Sequence, residues 1–169
     1  MQPENQTLGK LRNMTSIYLT CNGQVLLLYR QGSKVVNNVW VGSAGGHFEE
    51  NELNDAKACV LRELREELHI EESCLQNLSL RYITLRKTAK EIRQNYYFFA
   101  ELEQGTDMKL TSDEGTLKWF SLAELKNLDM PFSAKYMIEH WLDEGRNTSG
   151  MYGGITTEKG VVFATLEEF

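Results

Sequence analysis

Residues 45–70 read GGHFEENELNDAKACVLRELREELHI, and the segment RELREEL at 62–68 puts Glu63, Glu66 and Glu67 within five positions. On a helix, positions three and four apart are neighbours, and like charges there repel by roughly 0.2–0.5 kcal/mol per pair. Either solvent and the nearby Arg62 and Arg65 screen that repulsion, or a cation sits among the acids. At about 100° per residue, Leu61, Leu64 and Leu68 form one stripe, the expected core face. The three glutamates form a separate arc. Arg62 lies beside that arc and can reach Glu66 one turn on, while Arg65 lies nearer the leucines. The spacing predicts a helix from about Asp55 to Leu68, with Asn54 or Asp55 as its N-cap. Upstream, Gly45-Gly46 is expected in a glycine-rich loop that turns sharply and approaches a ligand, so that a carbonyl can join a metal site. It is not a phosphate-cradling P-loop, because no Gly-Lys-Ser/Thr follows.

Outward from this segment, "MTSIYLTCNGQVLLLYRQ" (14–31) reads as two apolar strands about a turn at Asn22-Gly23, a dipeptide that favours positive φ. "NNVWV" continues as a short strand. "LSLRYITLRKT" and "IRQNYYFFAELE" are rich in β-branched and aromatic residues and are expected to pair. "GTLKWFSL" is a further strand, and "SLAELKNL" a short helix capped by Ser121. Pro131 suits the first turn of "PFSAKYMIEHWLDEG", and residues 150–169 read as a final hairpin turning near Glu158 to Gly160. No internal repeat or low-complexity linker interrupts the chain, and its two prolines mark no boundary. The order strands, helix, strands, helices predicts one mixed α/β domain over 1–169, with its core at about 14–145.

Of the 169 residues 41% are apolar, enough for a single domain with a real core. The formal net charge of -6 argues against a nucleic-acid partner. It leaves room for a small anionic substrate, since a divalent cation inverts the local field. Cys21, Cys59 and Cys74 are odd in number and form no short metal-type pair, which points to reduced thiols in the cytoplasm. "MQPENQTLGKLRN" has no apolar core of the signal-peptide kind. Runs such as "VLLLY" are far too short to span a membrane.

The acidic segment resembles the signature of the Nudix hydrolases: Gly, five residues, Glu, seven residues, then Arg-Glu-apolar-any-Glu-Glu-any-Gly-apolar. Gly46, five residues and Glu52 match, and so do Arg62, Glu63, Leu64, Glu66, Glu67 and Ile70 in "RELREELHI". Nine residues rather than seven separate Glu52 from Arg62, and His69 stands where the family has glycine. Two residues added within a helix would turn everything after them by roughly 200°. Added in the loop leading into it, they cost little, and the three glutamates, all beyond the insertion, keep their mutual geometry. Histidine is among the residues enriched at positive φ, so His69 can end the helix. The resemblance covers most of 14–145, including the tryptophan strand and short helix of "EGTLKWFSLAEL". It implies a Nudix-type α/β/α sandwich with a mixed sheet.

The same resemblance implies a Mg²⁺-dependent hydrolase, with Mn²⁺ as a possible substitute. Its substrate would be a nucleoside diphosphate linked to another group, by default an ordinary or oxidised nucleoside triphosphate cleaved to monophosphate and pyrophosphate. Glu66 and Glu67 are implied as the main metal ligands, Glu63 as a ligand or the general base, and the Gly45 carbonyl as a further ligand. Arg62 would orient the carboxylates, with Gly46 and Glu52 in support. Glu114, in "SDEGTLKW", is implied as an acid from the loop before the tryptophan strand, with Asp113 as its competitor. The alternative function is a non-catalytic nucleotide-binding or regulatory domain on the same fold.

Other residues are weighed from their surroundings. His47 can touch a phosphate or stand by, and His140 reads as packing. Tyr96 to Phe99 alternate across a strand, leaving one face able to stack a base. Cys59 reads as a small apolar residue. Lys87, Lys90 and Arg93 form a basic connection, either solvated or in contact with phosphate. The C-terminal hairpin can close the pocket or form a homodimer contact.

Overall fold

Asn22 and Gly23 take φ of 50° and 73° and close the hairpin between β1 (Leu11–Cys21) and β2 (Gln24–Arg30). The computed structural model describes residues 9–32, 37–106 and 110–169. Beyond the hairpin come β3 (Val39–Val41) and β4 (Ala44–His47), then helix α1 (Ala56–Leu68). Strands β5 (Leu75–Lys87) and β6 (Ile92–Leu102) pair antiparallel as their composition predicts. Then follow β7 (Gly115–Ser121), the short α2 (Leu122–Leu125), α3 (Phe132–Asp143), and the hairpin of β8 (Met151–Thr157) with β9 (Gly160–Leu166).

The strands run in the order β3-β2-β1-β6-β5-β8-β9, with β4 on β1 and β7 on β2. Pairing of β1 with β6 and of β5 with β8 is parallel, so the sheet is mixed. Residue alternation sends its apolar side chains to two cores. Ile17, Leu19, Leu26 and Phe98 pack with Val60, Leu64 and Leu68 of α1. Tyr18, Leu27, Tyr97 and Phe99 pack with Met137, Ile138 and Trp141 of α3. The result is the expected α/β/α sandwich.

Local signals place the helix ends well. Asp55, one of the two expected caps, accepts the Ala58 N–H at 3.0 Å. His69 sits at φ 56° and ψ 33°, the left-handed position at which the helix stops. Ser121 and Glu124 form a capping box on α2. Pro131 occupies the N-cap of α3 rather than its first turn, and the helix stops at Asp143, two residues short of Gly145. Leu61 is only half-buried, whereas Cys59 and Val60 are fully buried beside Leu64 and Leu68. The core stripe of α1 is thus rotated from the all-leucine face.

The hairpin adds two strands to the sheet. Tyr152 and Phe163 face α3, while Ile155, Val162 and Leu166 are exposed on the other side. Among the described residues no helix is long and apolar enough to cross a membrane.

Candidate active site

The glycine pair lies in a strand. Gly45 and Gly46 are part of β4 and pair with Ser16 and Thr15 of β1, which corrects the expected loop. Their lack of a side chain is required by close approach. A Cβ on Gly45 would run into the Thr15 carbonyl oxygen, and one on Gly46 into the Glu63 carboxylate. Strand β4 thereby brings its backbone directly against the acidic face of α1.

Arg62 organises that face. It donates from Nε and Nη2 to the two Glu52 oxygens, at 2.9 and 3.0 Å, from Nη1 to Glu63 at 2.9 Å and Glu66 at 3.1 Å, and from Nη2 to the His47 carbonyl at 3.1 Å. Glu52 is 4% exposed, and its hydrogen bonds from Arg62 hold its carboxyl below the usual carboxylate range despite burial. The two extra residues are absorbed before Asp55, between the short turn at Glu50–Glu52 and α1, so the Glu52–Arg62 contact survives them.

The three glutamates do not share one environment. Glu66 is exposed, whereas Glu63 and Glu67 turn toward β4. Glu67 accepts the Gly45 N–H at 3.4 Å. Burial first, and the neighbouring Glu63 charge second, push its carboxyl up to about 8. Glu114 also raises it, so the loop before β7 reaches the same field. Glu114, rather than Asp113, reaches Arg30, at 3.7 Å. Among the described residues no three carboxylate, histidine or cysteine side chains converge tightly enough to form a ready-made cation cage, because Arg62 holds Glu63 and Glu66. Among the described residues Glu67 has no such cationic partner within ion-pair distance. An all-oxygen set in which one half-buried carboxyl lies against another suits a hard divalent ion.

Glu67 and Gly45 line a cleft of about 180 Å³ between the sheet and the start of α3. Tyr18, Tyr97, Leu28 and Phe132 give it an apolar lining, and Arg12, Arg30, Arg86 and Arg93 a basic one. Among the described residues the Nε of Arg30 is buried there with no acceptor. A larger hollow of about 750 Å³ beside the β1–β2 turn contains none of the acids discussed above and lies away from this chemistry.

The family follows from sequence and fold together. The NUDIX domain family model matches residues 10–141. The chain belongs to the Nudix family. Similar solved structures include a mutator MutT protein from Bacillus halodurans, at 22% identity, TM-score 0.65 and coverage of 91% of this chain and 97% of that one. A MutT protein from Methanosarcina mazei shares 19% identity, TM-score 0.65, and 83% and 98% coverage. The E. coli ORF135 protein shares 21%, TM-score 0.63, and 82% and 93% coverage. No curated protein matches the chain in sequence. In fold this Nudix-family chain is similar to the MutT proteins.

Of the four arginines that line this cleft, the sequence singles out only Arg93. The signal for the other three was alternation: Arg12 shares a face with Tyr18, Arg30 with Leu28 and Arg86 with Tyr82, at even spacing. His47 accepts from Arg12 Nε at 2.7 Å, which puts it beside the cleft. His140 packs as expected, with Tyr82 Oη 2.8 Å from its Nδ1. Lys87 and Lys90 are exposed. The cleft has no lining residue from the C-terminal hairpin. Cys59 is buried against Thr15, and burial pushes its thiol up to about 11, as suits an inert apolar residue.

Proposed function

We propose that this Nudix hydrolase uses Mg²⁺, with Mn²⁺ able to substitute, to cleave the pyrophosphate bridge of a nucleoside diphosphate linked to another group. The best-fitting substrate is an ordinary or oxidised nucleoside triphosphate, giving monophosphate and pyrophosphate. The observation that carries this reading is Glu67: a half-buried carboxyl pressed against Glu63 and the β4 backbone, at the edge of a cleft with an orphaned arginine donor.

Glu63, Glu66, Glu67 and the Gly45 carbonyl would hold the ion, with Glu114 as a further acid from the opposite loop. A bound divalent ion neutralises phosphate oxygens and acidifies a water. The chain supplies the rest. Arg62 fixes Glu63 and Glu66 in direction through charge-assisted bonds. Glu63, or Glu114, would accept the proton of the attacking water. Arg30, whose Nε has no acceptor among the described residues, would turn its guanidinium to a phosphate oxygen, and Phe132 would offer a flat surface to a base.

The test is release of phosphate or pyrophosphate from a panel of nucleoside triphosphates, nucleotide sugars, ADP-ribose and diphosphorylated alcohols. Turnover that requires Mg²⁺ and stops with chelator is expected; turnover indifferent to chelator would overturn the metal assignment. Three free cysteines support a cytoplasmic setting, and the net charge of -6 supports small-molecule rather than nucleic-acid partners. A homodimer through the hairpin is supported by its exposed Ile155, Val162 and Leu166. Sedimentation of the wild type and of Val162→Lys tests it, with a dimer expected only for the former.

A further inference from the structure

Three arginines lie side by side across three neighbouring strands. Arg12 of β1 is the register partner of Arg93 of β6, and Arg93 is the register partner of Arg86 of β5. All three line the cleft that also holds Glu67 and Gly45. Like charges directly opposed across strands repel, and strands about 4.8 Å apart bring such guanidiniums within reach of a single anion. Among the described residues one carboxylate forms ion pairs with them: Glu91 meets Arg12 at 3.4 Å and Arg93 at 3.1 Å. Among the described residues Arg86 makes no ion pair, and its Cζ rests 5.6 Å from the centre of the Phe132 ring. Three cations against one anion leave an excess of positive charge, in a chain whose net charge is -6.

The surroundings favour the same sign of ligand. Pro131 caps α3 without a side-chain hydrogen bond, so the first N–H groups of that helix, at Phe132 to Ala134 on the cleft wall, keep their positive end unoffset. Asn95 stands on the same face two positions beyond Arg93 and adds an amide. Guanidinium groups suit phosphate through paired N–H donors.

We propose that the Arg12–Arg93–Arg86 row is an anion subsite for a third phosphate-type group, beyond the two of the scissile bridge. The preferred substrates are then nucleotides with at least three phosphoryl groups, over diphosphates ending in a neutral sugar or alcohol. This rests on the hydrolase reading above and assigns its charge selectivity to these side chains. The third group can extend the polyphosphate chain or sit elsewhere on the nucleotide.

The test begins with binding, without metal or turnover. Inorganic tripolyphosphate and adenosine 3′,5′-bisphosphate are titrated into chelator-treated wild type, Arg86→Gln, Arg93→Gln and Arg86→Lys. At least one probe is expected to lose tenfold or more in affinity in both glutamine variants and to recover most of it in Arg86→Lys. The probe that loses more identifies where the third phosphate sits. Melting temperatures identify any variant that fails to fold, and the remaining variant then decides. In turnover, the kcat/KM ratio of a nucleoside triphosphate over a nucleotide sugar is expected to fall at least tenfold in Arg93→Gln. Arginine-dependent anion binding without any hydrolysis would sink the hydrolase reading alone. Normal hydrolysis with unchanged probe affinity and unchanged ratio would sink the subsite alone.

Discussion

Arg62 grips both carboxylate oxygens of Glu52, at 2.9 and 3.0 Å, across a loop two residues longer than the family signature allows. Glu52 also accepts the Glu49 N–H at 2.9 Å, so both of its oxygens are engaged. Those bonds make it a brace for Arg62, which in turn aims Glu63 and Glu66.

Replacing Glu52 by Ala should therefore cost stability as well as turnover. Removing one partner of a buried pair leaves the other uncompensated, and a loss of about 2–4 kcal/mol is expected. Because Arg62 depresses the Glu52 pKa, the pair's contribution is present above the ordinary carboxylate range and is lost as pH falls through the depressed value. Urea unfolding of wild type and Glu52→Ala across acidic pH checks both size and sign.

Glu67 has the opposite sign. Its folded pKa, near 8, lies above the ordinary 4.5, so the native state binds the extra proton between those values. The metal-free protein should lose stability as pH rises through that window. Glu67→Gln should flatten the slope, and Mg²⁺ should raise the melting temperature most at the alkaline end. A wild-type melting temperature in chelator that holds steady from pH 5 to 9 would contradict this.

Catalytically, Glu67→Gln keeps the shape of the side chain and removes its charge. Turnover should fall by on the order of 10²–10⁴-fold, with far-ultraviolet dichroism unchanged. Arg62→Lys should fall less in kcat but lose the two-pronged grip on Glu52. Initial rates under saturating nucleotide and Mg²⁺ distinguish the two.

The adjacent glycines should fail differently. In Gly45→Ala the new methyl meets the Thr15 backbone, which cannot yield without breaking β4 from β1. In Gly46→Ala it meets the end of the Glu63 side chain, which can swing away. The first is expected to unfold at markedly lower urea, and the second to stay folded with turnover reduced tenfold or more. Equal loss of stability in both would show that Glu63 is locked in place.

The sequence by itself determined whatever depends on neighbours along the chain. Asp55 before the helix, His69 at its end, Asn22-Gly23 between two apolar runs and the capping box at Ser121 all act within a few residues. The order of the acids was equally legible, since helical spacing fixes how Glu63, Glu66 and Glu67 sit relative to one another. Tertiary structure alone decided what crosses between strands. Gly45-Gly46 reads as a turn until β1 lies beside it. Glu67 is distinguished from Glu66 only when β4 covers one side of α1. The arginines at 12, 86 and 93 become one row only through the registers of β1, β6 and β5. Pairing at such separations is set by which faces bury together, and a linear pattern holds no record of which strand will stand next to which.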